Sequence, residues 1–156
     1  MVKVEVQSVF ACTPEAYLEF VMDPERYSEV DDKINDIGWV RRDGDVCQFL
    51  FRPSLPGMSL PEPRAVSRMS LTPGERVDVR LAPVARNALN RLVSKFSARF
   101  SCVPVDGGIR VTRMISFDFN PVVRWFFEPR VRQALQASVE REHVLAKPLL
   151  EQGGQR

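Results

Sequence analysis

Residues 93–121 read VSKFSARFSCVPVDGGIRVTRMISFDFNP, and their pattern decides the fold. Phe96, Ala98, Phe100 and Cys102 alternate with Lys95, Ser97, Arg99 and Ser101. A period of two marks a strand with one buried face and one wet face. Asp106, Gly107 and Gly108 supply the residue types that a tight hairpin turn demands. A second alternating run fills residues 109–119, and Asn120-Pro121 ends it. Residues 122–127 are apolar and read as a helical lead-in. From Pro129 onward the period is that of a helix. Val131, Leu135, Ser138, Glu142, Leu145 and Leu149 recur at spacings of four and three, which places them on one stripe. Ala134 and Ala146 border the stripe, and Pro148 frays or kinks the end. Residues 151–156 are expected to form a disordered polar tail.

Upstream, the same punctuation recurs. Val2, Val4 and Val6 alternate with Lys3, Glu5 and Gln7 in a first strand. Thr13-Pro14 and Asp23-Pro24 each place an N-cap before a proline at the first helical position, so two short helices follow that strand. The second is expected to end near Asp31 and Asp32. Strands over residues 37–42 and 46–52 flank Asp43-Gly44-Asp45. Strands over residues 64–71 and 76–81 flank Thr72-Pro73-Gly74-Glu75. Residues 53–63 form a Pro-rich loop, and residues 83–92 are either a loop or a helical turn. The sum is seven strands, two short helices after the first, and one long last helix. An isolated helix of this composition is marginal, so its apolar stripe must pack on a sheet. The fold class is therefore α+β, a helix-grip arrangement. A curved seven-stranded antiparallel sheet wraps around a long C-terminal helix, with residues 1–150 as a single domain.

Composition removes several function classes. The formal net charge is +2, from 22 basic and 20 acidic residues, which gives no electrostatic case for nucleic acid. Arg124, Arg130, Arg132 and Arg141 gather near the last helix and read as a solvated face. Three distant cysteines and one histidine form neither a disulfide framework nor a metal site, so no metal and no cofactor is expected. No phosphate-binding glycine loop and no GxSxG elbow is present. Alternating sequence begins at residue 2, no secretory h-region is visible, and no apolar run approaches the roughly 20 residues of a membrane span. The reading is of a cytoplasmic protein without stable membrane insertion; the oligomeric state is open.

Three stretches carry a resemblance to a known superfamily. They are residues 11–17 with 21–27 (ACTPEAY and VMDPERY), residues 107–113 (GGIRVTR), and the amphipathic last helix. They resemble the START-like or Bet v 1-like superfamily, also called SRPBCC, and within it the bacterial polyketide cyclase/dehydrase and lipid-transport proteins. The likeness spans residues 2–150. Ser28, Glu29 and Val30 stand where the family often has Pro and Trp, and Arg113 stands where a Trp often ends the hairpin motif. The resemblance implies a cavity between sheet and helix that takes a hydrophobic small molecule, a lipid or a polyketide-like compound.

The inward rows set the candidate ligand-binding residues: Phe49, Phe51, Met69, Val79, Phe96, Phe100, Ile115, Leu135 and Ser138. Met58 and Leu60 join them from the Pro-rich loop, which matches the gate loop of the superfamily's hormone receptors. That loop is either a lid or a packed stabilising segment. Arg113 shares a strand face with Val111 and Ile115, so it points inward, where an unpaired guanidinium is very costly. Glu142 interrupts the apolar stripe and is its natural partner; the alternatives are a ligand carboxylate or a snorkelling Arg113. His143 lies beside the stripe and reads as a partly exposed helix residue. Glu142, His143 and Arg113 are the set available if the protein is a cyclase or dehydratase. Three functions stay open: a carrier or binder, such an enzyme, and a protein-interaction module with a filled interior.

Overall fold

The computed structural model describes residues 1–57 and 62–153. Met58 and Leu60 therefore lie outside the described residues. The elements are β1 (Val2–Phe10), α1 (Pro14–Val21), α2 (Pro24–Tyr27), β2 (Ile34–Asn35), β3 (Val40–Asp43), β4 (Val46–Pro53), β5 (Ala65–Thr72) and β6 (Arg76–Leu81). A 3-10 turn (Ala85–Asn87), α3 (Ala88–Val93), β7 (Ser94–Val105), β8 (Gly108–Phe119) and α4 (Pro121–Gly153) complete the chain.

All pairings are antiparallel. The order β1-β8-β7-β6-β5-β4-β2 places the first strand beside the last, while β3 also pairs with β4. The seven strands read from the sequence are present, and the two-residue β2 is added to them. The strand expected over residues 37–42 is shorter, although Gly38 and Trp39 still exchange backbone hydrogen bonds with Leu50. The caps form as the sequence implies: the Thr13 hydroxyl accepts from the Ala16 amide, and an Asp23 carboxylate oxygen accepts from the Arg26 amide.

The lead-in read over residues 122–127 is helical and continuous with the last helix, which starts at Pro121 where the Asn120 side chain accepts from the Val122 amide and caps it. The helix differs from its sequence reading in two ways. It runs through Glu151 and Gln152 to Gly153, where a disordered tail was expected to begin; Glu151 is held there by the Ala11 amide. Its buried face is also broader than one stripe. Beyond Ser138 it comprises Val139, Glu142, His143, Ala146 and Leu150, whereas Leu145 is 45% exposed. The helix packs across β1 and β8, so two of its rows are covered and Leu145 falls outside both. Pro129 and Pro148 both stand inside α4, and each removes the amide that would bond the carbonyl four residues earlier.

The ambiguous segment before β7 is settled by one side chain. Asn87 is fully buried; its Oδ1 accepts from the Val66 amide and its Nδ2 donates to the Val66 and Ala82 carbonyls. It thereby clamps the 3-10 turn and α3 onto β5 and the end of β6. Asn87→Ala would leave the Val66 amide without a partner, while the Val66 and Ala82 carbonyls keep the Ala82 and Val84 amides. We expect a stability loss of about 1–3 kcal/mol by urea denaturation, the cost of one orphaned buried group.

Candidate functional site

The alternation of β4 to β8 turns one set of side chains toward the concave face. Phe49, Phe51, Ser67, Met69, Val79, Leu81, Phe96, Ala98, Phe100, Ile115 and Phe117 line a cavity of about 350 Å³ there. That volume falls within the usual range for small-molecule sites. Phe127 from α4, Leu89 and Val93 from α3, and Leu55 from the loop after β4 complete the walls. The exposed Ser54, Pro63 and Leu89 belong to the lining, so the cavity reaches the surface at that end.

At the inner end the lining turns polar, with Tyr27, Asp31, Lys33 and Arg113. Arg113 is positioned by its register between Val6 of β1 and Phe100 of β7. Its guanidinium stacks 4.0 Å over the Phe100 ring, donates from Nε to Glu142 Oε2 at 3.2 Å, and donates to the Met114 carbonyl. The Tyr27 hydroxyl donates to the same Glu142 oxygen at 2.7 Å. Lys33 bonds Glu142 Oε1 and the Ser138 hydroxyl, and lies 2.8 Å from Asp31 Oδ1. Asp31 Oδ2 stands 4.0 Å from Arg113. Two cations and two carboxylates thus share one buried cluster whose charges balance.

The cluster's proton affinities follow from burial and pairing. Burial alone would raise the Glu142 carboxyl, but Arg113 and Lys33 overcome it and hold it down at about 2. Asp31 goes the other way: burial and the Glu142 charge push its carboxyl up to about 6, against the pull of Lys33 and Arg113. Lys33 keeps its proton above its ordinary range, because Asp31 and Glu142 outweigh its desolvation. Burial pushes the Tyr27 hydroxyl well up, so it is a donor throughout the physiological range.

The structure sorts the residues singled out in the sequence. Phe49, Phe51, Met69, Val79, Phe96, Phe100, Arg113 and Ile115 line the cavity. Leu135, Ser138 and Glu142 are buried but stand outside its lining; Glu142 and Ser138 hold the polar end from behind. The Arg113–Glu142 pair is present. His143 corrects its reading as a partly exposed residue, being only 4% exposed. It faces β1, with Nδ1 2.8 Å from the Ser8 hydroxyl and its ring edge-on to Phe10. It is not in the lining, so acid–base work in the cavity has no geometry at this residue. Burial holds its pKa down at about 4.

Asp31 and Lys33 were missed. They follow α2, where the sequence shows only a charged helix end. Their position depends on a local turn in which Asp31 Oδ1 accepts the Lys33 amide, and on the pairing of Ile34 with Pro53. No periodicity announces either.

The polyketide cyclase/dehydrase and lipid transport family model matches residues 1–146. Among curated proteins there is no match. Solved structures share the fold at low identity. TTHA0849 from Thermus thermophilus has 15% identity over 90% of each chain, with a TM-score of 0.69. A START superfamily protein from Mycobacterium smegmatis has 18% identity over 96% of this chain and 97% of that one, with a TM-score of 0.65. The di-domain ARO/CYC protein StfQ of the steffimycin biosynthetic pathway has 13% identity over 99% of this chain but 52% of its own, with a TM-score of 0.74.

Two outcomes test the polar end. Glu142→Gln removes the anion that Arg113 and Lys33 share and should cost about 3–5 kcal/mol in denaturant unfolding, as for other broken buried pairs. The second concerns pH. His143 is depressed from about 6.5, so its contribution is full above 6.5 and fades as pH falls toward 4. Asp31 is raised from 3.8 to about 6, so its effect has the opposite sign: stability grows as pH falls through 6. Between pH 6.5 and 5 the two oppose, and the wild-type urea midpoint should stay nearly level. His143→Gln should leave the burial-raised carboxyls of Asp31 and Glu62 unopposed, and the midpoint should then rise as pH falls.

Proposed function

The chain belongs to the polyketide cyclase/dehydrase and lipid transport family, and on that premise we propose that it binds and carries a hydrophobic small molecule with one uncharged polar end. The observation that supports this most is the cavity, whose walls are mainly apolar, with Arg113, Lys33, Asp31 and Tyr27 at the inner end and Glu62, Asn90 and Ser94 elsewhere in the lining. Burial of apolar ligand surface would supply most of the affinity, at about 25 cal/mol per Å². Arg113, Lys33 and Tyr27 would orient the ligand. Their charges are already matched by Glu142 and Asp31, so a carbonyl or hydroxyl fits this end better than a carboxylate, which would leave a negative charge uncompensated. The interior is not filled, which weighs against a pure interaction module.

A second reading has one observation in its favour. Asp31 lines the cavity with its carboxyl pushed up to about 6, which suits a general acid or base near neutral pH. A cyclase or dehydratase acting on a poly-keto compound would place Asp31 in that role, with Arg113 and Lys33 polarising a carbonyl oxygen.

Native mass spectrometry of protein purified from its own host, followed by extraction, tests the carrier reading; a stoichiometric apolar compound is the expected result. Ala98 lies between Val79 and Ile115 in the sheet and lines the cavity. Ala98→Phe should fill the space and lower affinity for the extracted compound at least about tenfold by fluorescence displacement, equal to 1.4 kcal/mol, with the fold intact by circular dichroism. An unchanged affinity would place the ligand elsewhere. Asp31→Asn separates the readings: it should leave a carrier's affinity within a few-fold and abolish turnover in an enzyme.

A further inference from the structure

Five exposed apolar side chains lie on α3 and the first turns of α4, next to residues that line the cavity; Met1, Val9, Val84, Val103, Val144 and Leu145 are exposed at other positions. Val122 is 79% exposed, Trp125 76% and Phe126 38% on the first turns of α4, while Leu89 is 56% and Leu92 64% exposed on α3. Val122, Trp125 and Phe126 are spaced by three and four, which sets them on one helix face. Leu89 and Leu92 are likewise three apart. The two helices meet at Asn120, whose amide donates to the Val93 carbonyl and whose side chain donates to the Leu92 carbonyl. Leu89 also lines the cavity, and Phe127, beside Phe126 with ring centroids 5.4 Å apart, does too. Exposed aromatic and aliphatic groups in such a patch are unusual on a soluble surface and call for an occupant.

Charge identifies the occupant. Residues 84–95 and 121–132 hold Arg86, Arg91, Lys95, Arg124, Arg130 and Arg132 against one acidic residue, Glu128. Asp118 and Glu128 engage Arg124, and Glu128 also reaches Arg132, which leaves Arg86, Arg91, Lys95 and Arg130 outside any ion pair among the described residues; the whole chain is only +2, so this end carries more positive charge than the rest. The Arg130 guanidinium stacks over the Phe126 ring at 4.3 Å, so cation and aromatic share this surface. Trp and Phe with interspersed Arg and Lys suit the boundary between lipid headgroups and acyl chains.

We propose that α3 and the first turns of α4 dock this protein, reversibly and without spanning, on a bilayer that contains anionic lipid. Trp125, Val122 and Leu92 enter the headgroup region and the arginines meet lipid phosphate. The cavity end then faces the membrane. This goes beyond ligand binding and does not depend on it, since it rests on exposure and charge alone.

The chain has two tryptophans. Trp39 is half-buried and packs against Leu50, Val66 and Ala82. Trp39→Phe therefore leaves Trp125 as the sole reporter. On vesicles of phosphatidylcholine with phosphatidylglycerol, its emission should shift to the blue and be quenched by brominated acyl chains, while phosphatidylcholine alone should give neither. Flotation with the same vesicles should show Trp125→Ser weakening binding by about tenfold or more. Raising the salt from 0.05 to about 0.5 M should weaken it further, as the Debye length shrinks. Both variants should keep the wild-type circular dichroism, because Trp125 supports no core contact. No spectral shift on anionic vesicles at low salt would overturn the proposal, as would flotation unaffected by Trp125→Ser. Concentration-dependent self-association abolished by Trp125→Ser, without vesicle binding, would overturn it in favour of a contact between copies of this chain.

Discussion

One buried guanidinium constrains much of what surrounds it. Arg113 sits on the concave face in a strand otherwise filled with Val111, Ile115 and Phe117. Leaving that charge unpaired would cost several kcal/mol, a large share of a domain's total stability. Glu142 answers it from α4, Tyr27 answers Glu142 from α2, and Lys33 with Asp31 closes the set from the turn after α2. Three separate stretches of chain are thus held to the sheet by one electrostatic requirement. Apolar packing would tolerate small slips of α4 along the sheet, but matched donors and acceptors admit one position.

The same arrangement divides the interior into a part that holds and a part that is empty. The helix face from Val131 to Leu150 packs on β1 and on the end of the sheet nearest α1. The sheet rows of Phe and Met on β4, β5, β7 and β8 meet little helix, and the cavity lies there. Small side chains at Ala98 and Ser67 keep it open, while Phe49, Phe51, Phe96 and Phe117 give it aromatic walls. The polar cluster lies at the seam between the two parts, which is why residues that stabilise the fold also form part of the surface a bound molecule would meet.

Most of the architecture was legible because it follows from period and punctuation. Alternation in residues 93–119, the Gly-containing turns and the Thr13 and Asp23 caps are local signals. The inward direction of Arg113 and its need for Glu142 were legible too, since a charge in an apolar row must be answered. What failed was information that only assembly creates. His143 is covered because α4 packs across β1 against Ser8 and Phe10, and a single-stripe reading of the helix cannot see a second covered row. Asp31 and Lys33 become inward-facing only through a turn fixed by β2 and β4 pairing. The helical lead-in over residues 122–127 was legible, but its continuity through Pro129 was not, since proline ordinarily opens a helix and here stands within one.

The sheet order carries a consequence for how the molecule comes into being. β1 pairs with β8 from Val2 opposite Phe117 to Phe10 opposite Ile109, partners separated by roughly a hundred residues of chain. During synthesis β1 emerges first and waits until the β7–β8 hairpin exists, because no earlier strand offers it an edge. Contacts this distant in sequence are entropically expensive to close, and folds rich in them form slowly. Glu142 lies further along still, so the charge on Arg113 is answered only in the last stage. Until then the Phe-rich rows remain open to the surroundings, and the nascent sheet presents to any apolar molecule the same surface that the finished cavity later encloses.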